Sequence, residues 1–193
     1  MKPTIYLAHG FNVRSPEKFF RLGAIFEAEG YPVVRVDYGW TGLVSVTWAT
    51  ERTAQKLAEV MHPGSIILGH SNGCAIAHRA SQLGGMVRQI IAINPALRWD
   101  TIFDGDLLDR VDVYYAADDK VVTWGKRWRY ISPFKSEWGE MGRKGARFTG
   151  QRVTVMNHSL HTVLHTDEWI GHGGAFEWFH LDDLGRHILG QIV

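Results

Sequence analysis

The sequence predicts an α/β domain built on a mostly parallel central sheet of about six strands, with helices covering both faces. Three observations point to it. Short apolar, β-rich runs alternate with longer stretches of helical periodicity along the chain. One run, Ser65-Ile66-Ile67-Leu68, passes through Gly69-His70-Ser71-Asn72-Gly73 directly into a helix-like stretch starting at Cys74. The length of 193 residues, 45% hydrophobic and 21% charged, suits one globular domain with one sizeable core.

Strands are read at about 4–8, 33–37, 65–69, 89–93, 112–116 and 152–156. The first helix has Ser15 as cap, Pro16 at its first position and Gly30 as terminator, with Phe19, Phe20, Leu22, Ile25 and Phe26 giving an apolar face. A second helix over about 46–61 stops ahead of His62-Pro63-Gly64, since the residue before a proline is biased away from helix. A third runs from the turn at Ser71 to Gly84-Gly85. The last covers about 177–191, where Leu181, Leu184, Ile188, Leu189 and Ile192 recur at helical spacing and read as core. No repeat, low-complexity tract or linker divides the chain, so one domain over 1–193 is expected.

A formal net charge of +1 argues against an obligatory polyanionic partner, and no nucleic-acid partner is expected. Cys74 is the only cysteine, which excludes an intramolecular disulfide, and it reads as a small packing residue. Met1-Lys2-Pro3 leads straight into a strand without a signal-like apolar region, and no later run approaches membrane-spanning length. A cytoplasmic location is the expectation.

The segment Gly69–Gly73 is a G-x-S-x-G pattern in strand-turn-helix context. A strand feeding directly into a helix forces the intervening residue into a sharp turn, with small residues on both sides to avoid clashes. Ser71 is thereby the candidate nucleophile.

With its other motifs the chain resembles the α/β-hydrolase family, over nearly its whole length and in motif order. The resemblance rests on His9-Gly10-Phe11 after the first strand, the serine turn after the third, Asp118-Asp119-Lys120-Val121-Val122 after the fifth, and a histidine ahead of the last helix. The chain would be a compact single-domain member without two leading antiparallel strands, similar in architecture to cutinase and small bacterial lipases. The resemblance implies a serine hydrolase that cleaves an ester or related acyl bond of a small-molecule substrate through an acyl-enzyme, with no cofactor and no metal. Thioesterase, amidase and peptidase chemistry use the same constellation. From a different class, a non-catalytic binding module on this fold is the alternative.

Asp119, followed by small apolar residues, matches the family's acid best, and Asp118 also fits. Four histidines lie between the last strand and the last helix: His158, His161, His165 and His172. His172 is preferred because glycines flank it and it directly precedes the final helix, which leaves about 157–170 as a possible insertion over the active-site mouth. On a helix, His158, His161 and His165 would share a face suited to a metal, although a polar loop is the simpler reading. The family places oxyanion donors on the residue after the nucleophile, here Asn72, and on the loop after the first strand, here Phe11 with Asn12 as alternate. His9 and His70 are expected to support those loops.

Between Asp119 and the final strand lies a basic aromatic stretch that includes Trp124, Arg127, Trp128, Arg129, Tyr130, Trp138, Arg143 and Arg147. It reads more simply as an amphipathic helix than as a polyanion grip. Trp40, Trp48, Trp99 and Phe103 follow other strands and are candidates to line an acyl or aromatic pocket at the sheet's carboxyl edge.

Overall fold

The computed structural model describes residues 1–11, 17–39, 45–123, 138–147 and 152–193. Ser15, Pro16, Asn12, Trp40 and the part of the basic aromatic stretch at 124–137 lie outside the described residues. Six strands form one sheet: β1 (Ile5–Ala8), β2 (Val33–Val36), β3 (Ser65–His70), β4 (Val87–Ile93), β5 (Arg110–Tyr115) and β6 (Thr154–Ser159). The helices are α1 (Glu17–Ala28), α2 (Val46–Val60), α3 (Asn72–Gln82), two four-residue segments α4 (Met141–Lys144) and α5 (Leu160–Val163), and α6 (Trp178–Leu189).

The strand order is β2-β1-β3-β4-β5-β6, and every neighbouring pair is parallel. Parallel neighbours need crossover connections, and the helices supply them on both faces. Phe19, Leu22 and Phe26 of α1 pack with Leu181, Leu184 and Ile188 of α6 against one face. Ala54 and Leu57 of α2 pack with Cys74, Ile76 and Ala80 of α3 against the other. Burial on both faces explains why β1 and β3 read as continuous apolar runs rather than alternating ones. β1 lies between β2 and β3, and the chain leaves β1 and β3 toward opposite edges of the sheet. The loops after these two strands therefore diverge and open a crevice at the carboxyl ends, where ligands of open α/β sheets bind.

The sixth strand begins two residues later than its apolar pattern suggests and runs through Ser159, so that Asn157, His158 and Ser159 pair with Val113, Tyr114 and Tyr115. The chain beyond the sheet thus starts at 160 rather than 157. Polar residues sit in this edge strand because distant partners satisfy them. The Asn157 side chain accepts from Ala146 N at 2.8 Å and donates to Ala146 O at 2.9 Å. His158 Nε2 donates to Asp112 Oδ1 at 2.8 Å, and its ring stacks on Tyr114. Burial opposes the charge on Asp112, but hydrogen bonds from His158, Arg110 and Gln89 outweigh it and hold the carboxyl below its usual range. Beyond the strand, Leu160, Val163, Leu164 and Ile170 join the core beneath α1 and α6.

Candidate active site

Ser71 stands between β3 and α3 with φ 55° and ψ −116°, a combination that costs on the order of 1–3 kcal/mol and persists only when surroundings impose it. The two flanking glycines let the surroundings do so. A Cβ on Gly73 would lie 2.0 Å from Ala8 O, and one on Gly69 would lie 2.7 Å from the backbone of Gly73 and Cys74. The turn thus presses against the end of β1. Ser71 N donates to Ile93 O, while Ser71 O accepts from Cys74 N and Ala96 N, which fixes the turn to the end of β4. Asn72 is the first residue of α3, where the leading N–H groups have no partner within the helix and carry the positive end of its dipole.

The loop His9-Gly10-Phe11 faces this turn, and Gly10 leaves room for it: a Cβ there would lie 3.1 Å from Ser71 Cβ. Tyr38, two residues past β2, braces the loop, its hydroxyl 2.8 Å from both His9 O and Gly10 O and its ring stacked on His9 at 4.1 Å. His9 Nδ1 donates to Gly10 O at 2.8 Å.

Asp119, fully buried beyond the tip of β5, lies 2.7 Å from His172, whose Nδ1 donates to Asp119 Oδ2. Asn94 Nδ2 donates to the same oxygen at 3.0 Å, and Val121 N and Val122 N donate to Oδ1 at 3.0 and 3.4 Å. With four donors aimed at it, the carboxylate is an acceptor, so the imidazole proton is placed on Nδ1 and Nε2 is left as the ring's acceptor nitrogen. Asp118 turns elsewhere. It accepts from Ile170 N at 2.8 Å and Gly171 N at 3.1 Å, tying down the base of the loop that carries His172. His70 Nε2 donates to His172 O at 2.8 Å, so the residue before Ser71 holds the backbone of His172. Ser71 and His172 line one cavity.

No protein-family model and no curated protein sequence matches the chain. Solved structures do match in shape. Mouse alpha/beta hydrolase domain-containing protein 10 superposes with a TM-score of 0.64 at 14% identity, covering 100% of this chain and 90% of its own. The chain has the α/β-hydrolase fold. Esterase PE8 superposes with a TM-score of 0.55 at 16% identity over 100% of this chain and 93% of its own. The monoacylglycerol lipase of Paleococcus ferrophilus gives 0.55 at 13% identity over 99% and 95%.

Within the α/β-hydrolase fold the remaining candidates find other places. His158 lies in β6 against Asp112, and His161 in α5 approaches Asp118 at 3.5 Å. His165 follows with φ 49°. Because the strand runs to 159, these three histidines do not share a helix face, and no cluster of three metal-ligating side chains occurs among the described residues. The aromatic pocket read from Trp48, Trp99 and Phe103 does not form beside Ser71. Phe103 is buried against the His78 ring, Trp99 packs near Arg147, and Trp48 lines a groove between α2 and β2. A residue's position after a strand gives its end of the sheet but not its face. Asn94 and Trp138 emerge instead, Asn94 on Asp119 and Trp138 on the cavity wall. Asn94 had one sequence signal, an Asn-Pro step closing an apolar strand, and its φ of 44° suits asparagine.

Burial drives the His70 imidazole down to about 3, and the neighbouring His172 ring adds to the shift. An unfolded histidine titrates at about 6.5. Between those values the unfolded chain binds a proton that the folded chain does not, so this contribution is complete above the unfolded value and is lost as pH falls. Denaturant melts are expected to show stability falling below pH ~6 with a slope approaching about 1.4 kcal/mol per pH unit from this group. His70→Gln, which keeps an N–H donor for His172 O, is expected to flatten that slope.

Proposed function

We propose that the chain is a serine hydrolase that cleaves an ester or related acyl bond through a covalent acyl-enzyme. The observation that carries this reading is the 2.7 Å Asp119–His172 contact, with Ser71, held at positive φ, lining the same cavity as His172. In this reading His172 Nε2 takes the Ser71 Oγ proton as Oγ attacks the carbonyl carbon, and Asp119 stabilises the imidazolium that forms. The N–H groups of Phe11 and Asn72 receive the developing oxyanion. Collapse of the tetrahedral adduct breaks the bond to the alcohol, which leaves with the proton from His172. Water then repeats the sequence on the acyl-enzyme and releases the acid. His70, driven neutral by burial, leaves His172 without a competing positive charge at its side. The esterase and lipase named above share this fold and supply further support.

A fluorophosphonate probe is expected to label the wild-type protein at Ser71, and Ser71→Ala is expected to abolish the label. Labelling that persists in the folded variant would overturn the nucleophile. Folded wild-type protein that takes no label and hydrolyses no ester would point to a binding module instead.

A further inference from the structure

The cavity beside Ser71 is small. Apart from Ser71 and His172, the described residues that wall it are Phe11, Ala96, Val121, Val122, Trp138 and Gly139, and its volume is about 50 Å³. Pockets that enclose drug-sized ligands measure roughly 300–1,000 Å³. A second, larger groove of about 830 Å³ runs between β2 and α2, and Ser71 and His172 are not among its walls.

The walls are held in place. Trp138 Nε1 donates to Asn72 Oδ1 at 3.1 Å, and the indole ring lies 5.4 Å from Phe11. Asn72, itself 1% exposed, is fixed in turn by Thr50, to whose Oγ1 its Nδ2 donates at 3.0 Å. Swinging the indole aside would withdraw a donor from a buried amide oxygen, which disfavours widening. Next to it, Gly139 N donates to Ala96 O, and a Cβ on Gly139 would lie 2.5 Å from Arg98 Cα, so the backbone there is packed against the chain after β4. Those six walls carry no charged side chain, so a charged acyl group would find no opposite charge on them to replace its hydration.

We infer that this cavity is the acyl pocket, that it takes short, uncharged acyl groups of acetyl to propionyl size, and that Trp138 is the wall that sets their length. The inference rests on the serine-hydrolase reading above. An acetyl group offers two carbons and an oxygen to a space of this size, with the oxygen turned toward the amides of Phe11 and Asn72. Longer chains meet the indole.

The test is a kcat/KM series on p-nitrophenyl acetate, butyrate and octanoate, and on acetate esters of lengthening alcohols, with Ser71→Ala as the control. Wild-type protein is expected to favour acetate over octanoate by at least tenfold. Trp138→Ala is expected to raise the octanoate-to-acetate ratio at least tenfold, while Trp138→Phe, which keeps bulk and loses the donor, leaves the ratio within about threefold. Ser71-dependent turnover that favours octanoate in wild type would overturn the pocket and leave the hydrolase reading intact. Discrimination governed by alcohol length rather than acyl length would also overturn it, since the cavity would then hold the leaving group. Absence of Ser71-dependent turnover of every ester would remove both readings together. If Trp138→Ala does not fold, the wild-type series still tests the pocket, and Trp138→Leu, which shortens the wall but stays apolar, is expected to raise the same ratio; an unchanged ratio there would remove Trp138 as the wall.

Discussion

Replacing His172 with alanine is expected to slow acylation by roughly 10⁴–10⁶-fold, the scale on which triad enzymes lose rate when the proton acceptor is removed. The neighbouring imidazole is no substitute. His70, whose ring lies 4.9 Å from that of His172 between centroids, is held neutral by burial and spends its Nε2 proton on His172 O. His158→Ala is expected to keep most activity and instead to cost about 1–3 kcal/mol of stability, because it withdraws a hydrogen bond from the buried Asp112 carboxylate. Single-turnover acylation and denaturant melts on the two folded variants separate these effects. Activity retained without His172 and lost without His158 would reverse the assignment.

Asp119→Asn is expected to lower kcat/KM by about 10⁴-fold, since an amide at that position no longer stabilises the imidazolium and can hold the ring in the wrong tautomer. Asp118→Asn acts differently. Its carboxylate holds Ile170 N and Gly171 N, so the variant is expected to lose less than about tenfold in kcat/KM while amide exchange quickens in the loop at 169–173. Steady-state kinetics with hydrogen exchange on both variants provide the check. A larger kinetic loss at Asp118 than at Asp119 would place the acid one residue earlier.

Much of this arrangement was legible in the chain. The parallel strands announced themselves because burial on both faces demands unbroken apolar runs, and Gly69 and Gly73 marked the serine turn because a Cβ at either would collide with backbone. Asp119 followed by Val121 and Val122 was readable as well, and those valines' amides grip its carboxylate. Less could be read where function depends on which distant segments meet. Asn94 directly follows the strand that lies between those leading to Ser71 and Asp119, and only the sheet order brings it onto Asp119. Trp138 looked like one more aromatic in a basic stretch until its indole met Asn72 across 66 residues. Asn157 and His158 looked like loop because their polarity masks a strand whose backbone pairs with β5 while Ala146 and Asp112 satisfy the two side chains.

The contact between His70 and His172 joins positions 102 residues apart. A chain emerging from the ribosome presents its serine turn, and later its acidic strand tip, well before the segment carrying His172 is made. Under the proposed mechanism, Ser71 has no His172 to deprotonate it during that interval, so a half-made molecule would not acylate itself on passing metabolites. Docking of the last helix and the loop ahead of it completes the site, and onset of labelling by an active-site probe would therefore time the closing event of synthesis and folding rather than any earlier one.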